Sequence, residues 1–332
     1  MKPLLSTDLI NSVPINQQLD FSTSEYTPKT FYLKENKINK SLATNTTLFG
    51  LELEIENITT TPEIRDFWNQ HEDHSLRDNG VEYTTQPIQG KYVESALLHL
   101  NDVLMVDNKP VFSGRCSTHV HINVQDLSWE NIYSFVLLYA IFEKHFFFVA
   151  GTKREENIFC VPLYKSTQLY TINTLKNYIK YWSKYNAINI APILGNDYSM
   201  RYGTIEFRHL YGTLNPEIIL SWVNTISKIK EACVKFKLNS LVDNILTMNS
   251  TSEYIQLYKR IFQEEALTQK MLKADFESCI TNTKLALLKD NISSTSFVKN
   301  SHYAQIKYPF ERKNSILHTT AVEYDQVKHL SF

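Results

Sequence analysis

Between Leu48 and Glu56 the chain alternates apolar and acidic residues: Leu51, Leu53 and Ile55 on one side of the period, Glu52, Glu54 and Glu56 on the other. A period of two reads as a β-strand, because successive strand side chains point to opposite faces. Same-face carboxylates would then stand only about 7 Å apart and repel one another. Such a face either lies in water, as on a one-sided sheet, or holds divalent cations, and hard ions such as Mg²⁺ prefer oxygen ligands.

Three further segments offer the same choice. Gly80-Val81-Glu82-Tyr83-Thr84-Thr85 is a short strand after the turn Asp78-Asn79-Gly80, and its Glu82 is either a surface carboxylate or a ligand. His119-Val120-His121 puts two imidazoles on one side of a strand, where they are two surface polar groups, metal ligands or phosphate contacts. In Arg201-Tyr202-Gly203-Thr204-Ile205-Glu206-Phe207-Arg208, Glu206 and Arg208 share one face. That pair is an exposed ion pair of about 0–1 kcal/mol, or a carboxylate for a metal beside a guanidinium for a phosphate. If the four strands form one sheet, these groups line one face and suit Mg²⁺ ions facing a triphosphate.

Composition narrows how a nucleotide could be held. The 332 residues include only 8 glycines, none before Gly50 or after Gly212, where average usage gives roughly 23. Neither G-x-G-x-x-G nor G-x-x-x-x-G-K-[ST] occurs, which excludes a dinucleotide fingerprint and a P-loop. Hydrophobic content of 43%, charged content of 21% and net charge −1 are those of a globular chain without a global pull toward nucleic acid or membrane. Cys116, Cys160, Cys233 and Cys279 form no C-x-x-C pair and read as reduced thiols of a cytoplasmic protein. Met1–Asp20 lacks the layout of a signal peptide. The apolar run Ile132–Phe142 is shorter than the ~20 residues of a membrane span and reads as a buried helix.

The patterning predicts strands at Leu48–Glu56, Val81–Thr85, His119–Val124 and Ile205–Leu210. Helices are expected at Pro62–Asn69, Tyr92–Val106, Trp129–Val149 and Thr174–Tyr185, and from the start Asn215-Pro216-Glu217 to about Lys237. Later helical stretches are expected at 253–272 and 275–290, with a polar break at Asn291–Asn300. The irregular order favours an α+β fold. Residues 1–45 read as an N-terminal arm, 46–238 as the core, and 239–332 as a mainly helical region packed on it.

Taken in order, G-x-E-x-E, D-x-S-L…G-x-E-x-x-T-x-P, H-V-H, an Arg in a segment ending in Cys, and E-F-R…G-T-x-N-P resemble the amidoligases from about Phe49 to Trp222. These are relatives of glutamine synthetase and glutamate–cysteine ligase in the carboxylate–amine ligase superfamily. The resemblance implies a curved antiparallel sheet of glutamine synthetase type with flanking helices, binding ATP and two or three Mg²⁺ or Mn²⁺ ions. It implies metal ligation by Glu52, Glu54, Glu82, Glu206 and one or both of His119 and His121. It makes Arg208, Arg201 and Glu206 catalytic, with Arg208 binding phosphate, Arg201 and Arg154 second phosphate or substrate contacts, and Asp73 and Ser75 part of a substrate- or metal-proximal turn. Substrates would be an amino-acid or peptide carboxylate and an amine, and the protein a monomer or dimer. A further metal-binding glutamate of glutamine synthetase has no counterpart in the matched motifs.

Two rival readings use other features. A zinc hydrolase would take His119, His121 and a carboxylate, leaving Glu52, Glu54 and Arg208 unexplained. A nucleic-acid-binding relative would use Lys165, Lys176, Lys180 and Lys184 interleaved with Tyr170, Tyr178, Tyr181 and Trp182, a pattern that equally makes a solvated helix face.

Overall fold

The apolar sides of the alternating segments meet in one open, curved antiparallel sheet with helices behind it, so the fold is α+β. The computed structural model of the chain describes residues 14–17, 46–60, 64, 68–195, 201–263, 273 and 276–288. Its strands are β1 (Leu48–Ile55), β2 (Trp68–Glu72), β3 (Val81–Thr85), β4 (Ile88–Gln89), β5 (Ser117–Asn123), β6 (Ile188–Asn189) and β7 (Thr204–Tyr211). The order is β2-β3-β1-β5-β7-β6, with β4 paired to β1. The helices among these residues are α1 (Val93–Asp107), α2 (Trp129–Ala150), α3 (Leu175–Tyr178), α4 (Pro216–Lys235), α5 (Leu238–Thr247), α6 (Thr251–Phe262) and α7 (Thr281–Leu288).

Local chemistry sets the helix starts. Ser128 and Asn131 form a reciprocal capping box at α2. Asn215 Oδ1 accepts from Glu217 N and Ile218 N, with Pro216 at the first turn of α4. Ser250 and Glu253 cap α6 in the same reciprocal way.

Helices α2 and α4 pack together behind the sheet. Phe207 of β7 lies among Phe135, Tyr139, Phe146 and Trp222, with ring centroids 5.5–6.1 Å apart. By length and composition α2 could cross a membrane, but 83% of its apolar window is buried inside this fold, and Glu143 and His145 are enclosed along it. The later helices reach α2 through Tyr254 Oη to Ile141 O (3.0 Å) and Tyr258 Oη with His145 Nδ1 (3.3 Å).

Three expectations are corrected. Trp68 and Asn69, expected in a helix, open β2 instead: Asn69 and His71 pair with β3, and the Trp68 indole donates to Ala96 O. The other members of that expected helix, apart from Ile64, lie outside the described residues. Thr174–Tyr185 is not one amphipathic helix. It breaks into a 3-10 turn ending at Thr174, the single turn α3, and a second 3-10 turn at Ile179–Tyr181. Gln168 causes the break at its end by bonding Tyr181 O, Ser183 N and Asn186 Nδ2. Leu175, Ile179 and Trp182 still reach the core. The 253–272 helix closes at Phe262, where Gln263 turns left-handed (φ 55°), and a π turn at Phe276–Ile280 precedes α7. Residues 264–272 and the Asn291–Asn300 break lie outside the described residues. So does the N-terminal arm except 14–17, where Ile15 is buried and bonds Leu127 O.

A polar network is sealed behind the sheet. Glu143 accepts from Tyr139 Oη (2.6 Å), Leu163 N (2.5 Å) and Tyr164 N (2.9 Å), and Tyr139 Oη meets His209 Nε2 at 2.8 Å. Burial outweighs these three donors and pushes the Glu143 carboxyl from 4.5 up to about 7. The folded state therefore holds this proton more tightly than the unfolded chain does. Its stabilising contribution, roughly 3 kcal/mol in scale, is complete below the unfolded value and is lost as pH rises through about 7. Urea unfolding should show lower stability at pH 8 than at pH 5, and Glu143→Gln should flatten that difference.

Candidate functional site

Strand pairing decides which polar side chains meet. Glu52 stands opposite Thr84 on β3 and His119 on β5; Glu54 stands opposite Glu82; Gly50 and Glu206 both stand opposite His121; Asn189 of β6 stands opposite Glu206. Between Thr118 and Val120 the β5–β7 ladder shifts, so Arg208 and His209 face the single His119. Period-two alternation carries through the bulge: Arg208 stays on the polar face beside Glu206, and His209 packs behind the sheet with Tyr139 and Trp222.

Glu52 bridges the two imidazoles: Oε2 lies 3.0 Å from His119 Nδ1 and Oε1 lies 3.0 Å from His121 Nε2. Burial would raise its carboxyl, but the His121 charge and the bonds from both rings hold it well below the ordinary carboxylate value. Burial likewise opposes charge on His121, yet the Glu52 carboxylate lifts it above its usual value. Glu206 is ion-paired with Arg208 and accepts from Asn189 Nδ2 (2.7 Å). Against burial, Arg208 and His121 pull the Glu206 carboxyl down. Glu82 lacks such a partner in this balance: burial, then Glu52, Glu54, Asp73 and Glu206, push it up to about 8.

Two trios of candidate ligands result. Glu52, His119 and Glu206 form one; Glu54, Asp73 and Glu82 form the other; within each, ligand atoms lie within 4.8 Å of one another. The first offers two carboxylates and an imidazole, the second three carboxylates. Such oxygen-rich sets suit Mg²⁺ or Mn²⁺, and a cation would relieve the repulsion that raises Glu82. The fit is therefore good. Among the described residues no trio contains both imidazoles. His121 instead bonds Thr204 Oγ1 (3.0 Å) and lines an adjacent cavity of about 700 Å³ together with Glu52, Glu82, His71 and Tyr202. That volume suits a small-molecule ligand.

The remaining expected residues separate. Asp73 joins the second trio, while Ser75 joins neither trio; its N–H closes the turn onto Asp73 Oδ1 (2.8 Å) and its carbonyl receives Arg115. Arg201 is exposed with Nε on Leu194 O, while its neighbour Tyr202 lines the cavity. Arg154, expected as a phosphate or substrate contact, is buried behind the bulge. Its Nε donates to His209 O and its Nη2 to Arg208 O, each at 3.0 Å. Glu56, third of the alternating acids, caps the end of the sheet by accepting from Arg77 N.

Sequence reasoning missed Ser117 and Asn189. Ser117 lies two residues before His119 and so on its face, a signal open to the same parity argument. Asn189 sits on a two-residue strand with no local signature.

The profile of a family described as "putative amidoligase enzyme" matches residues 63–230, just over half of the chain. The chain belongs to this family. The matched segment contains Glu82, His119, His121, Glu206 and Arg208, and begins after the strand that carries Glu52 and Glu54. No curated protein matches the chain.

The Arg154 geometry makes a discriminating prediction. As a clamp on the bulge, Arg154→Lys loses the two-carbonyl fork and should cost about 2–3 kcal/mol of stability without any nucleotide present. Chemical denaturation measures this; unchanged stability would return Arg154 to a ligand-contacting role.

Proposed function

We propose that this family member is an ATP-dependent carboxylate–amine ligase that uses Mg²⁺ or Mn²⁺ and forms an amide or isopeptide bond through an acyl phosphate. The observation that carries the reading is the pairing of two carboxylate-rich trios with Arg208 on one sheet face. Membership of the amidoligase family supports a ligase-type reaction. The absence of a glycine-loop motif is consistent with phosphates held by metal-bearing carboxylates.

In this reading Glu52, His119 and Glu206 hold one divalent cation, and Glu54, Asp73 and Glu82 hold the other. Bound cations would offset the charge of the phosphate oxygens. Arg208 is held toward the site by Glu206 and by Phe159 O, which accepts from its Nε. It would stabilise the transferring γ-phosphoryl group, a reaction that needs mainly positioning and electrostatics. An oxygen of the substrate carboxylate attacks the γ-phosphorus, the bond to the ADP oxygen breaks, and acyl phosphate and ADP form. The amine nitrogen then attacks the acyl carbon and loses a proton, and phosphate leaves. The cavity beside Glu52 has room for a nucleotide-sized molecule. Four buried free thiols fit a cytoplasmic enzyme.

Purified protein with ATP and Mg²⁺ or Mn²⁺ should release ADP only when an acid and an amine are both supplied, and a chelator should stop it. Arg208→Gln should lower kcat by about 10²-fold or more. Screening pools of amino acids and peptides with coupled ADP detection tests this; folded protein that releases no ADP from any combination overturns the ligase reading.

A further inference from the structure

We propose that the Ser117 hydroxyl is a positioning group that sets the tautomer of His119 and links the two trios. This rests on reading the trios as cation sites. Ser117 is buried, and its N–H and Oγ both approach Glu54 Oε2, at 2.7 and 2.5 Å. The same Oγ lies 2.8 Å from His119 Nε2. A hydroxyl has one proton, and an ionised carboxylate can only accept. The Ser117 proton therefore goes to Glu54, and Oγ accepts from His119, which places a ring proton on Nε2.

The other ring nitrogen is the one that matters for a cation. Nδ1 lies 3.0 Å from Glu52 Oε2 and 3.6 Å from Glu206 Oε1. Without a cation Nδ1 donates to Glu52 Oε2; to act as a ligand it must give up that proton and present a lone pair, which the neutral Nε2–H tautomer supplies. Metal-binding imidazoles are commonly oriented through a hydrogen bond from their second nitrogen. Here that bond passes through Ser117 to Glu54, which belongs to the other trio. The relay from His119 Nε2–H through Ser117 Oγ–H to Glu54 is unbroken, so the geometry of one trio depends on that of the other. Without the hydroxyl, the alternative Nδ1–H tautomer can bond Glu52 and withdraw the lone pair.

Full-length protein titrated with Mn²⁺ alone, with free Mn²⁺ followed by electron paramagnetic resonance, tests the relay. Ser117→Ala should weaken Mn²⁺ binding about 10- to 100-fold, and Ser117→Thr, which keeps the hydroxyl, should restore most of the affinity. Wild-type protein labelled with ¹⁵N-histidine supplies an arm independent of the variants: with Mg²⁺ present, His119 should show the Nε2–H tautomer. An Nδ1–H tautomer, or folded Ser117→Ala with wild-type affinity, overturns the relay. If wild-type protein takes up no Mn²⁺, the cation reading falls and the relay with it. If it binds Mn²⁺ and Ser117→Ala binds equally well, the relay alone falls.

Discussion

Five carboxylates, Glu52, Glu54, Asp73, Glu82 and Glu206, converge on one sheet face against one guanidinium and two imidazoles. Much of this chemistry is shielded from water, where like charges interact far more strongly than in solution. The arrangement holds because three of these acids have defined counterparts: His119 and His121 for Glu52, Ser117 for Glu54, Arg208 and Asn189 for Glu206. Glu82 has no cationic partner in that balance, and its raised carboxyl marks the place where positive charge is most needed.

A rigid back makes that crowding tolerable. Phe207 sits between Glu206 and Arg208 in sequence and anchors β7 in the aromatic cluster of α2 and α4. One step further along, strand alternation turns Arg208 toward the site and His209 away from it, and Arg154 pins both of their carbonyls at the bulge. Close packing leaves little room for such a strand to shift. The geometry of the polar face is thus set from behind, by side chains that never reach it.

The parts of this design that were legible in the sequence share one property: they follow from residue parity along a single strand. Glu52 with Glu54, His119 with His121, and Glu206 with Arg208 could be assigned to common faces without knowing any strand's neighbour. The cap at Asn215 was legible because it is satisfied within three residues. The helix expected at Thr174–Tyr185 failed because Gln168, outside its window, bonds the backbone and side chain of 181–186. The strand at Trp68 was missed because its partner is β3 and its indole partner is on α1.

By itself, the sequence determined the four strands that carry the site's glutamates and histidines, the α+β class and most of the ligand types, since alternation and capping act over two to four residues. Only the tertiary structure decided how those ligands are grouped. Cross-strand register placed His119 rather than His121 in a trio and brought Asp73 to Glu54 and Glu82. The bulge made Arg154 a clamp rather than an exposed contact. Register and bulge are properties of pairs of strands that lie far apart in the chain, which is why no local pattern could announce them.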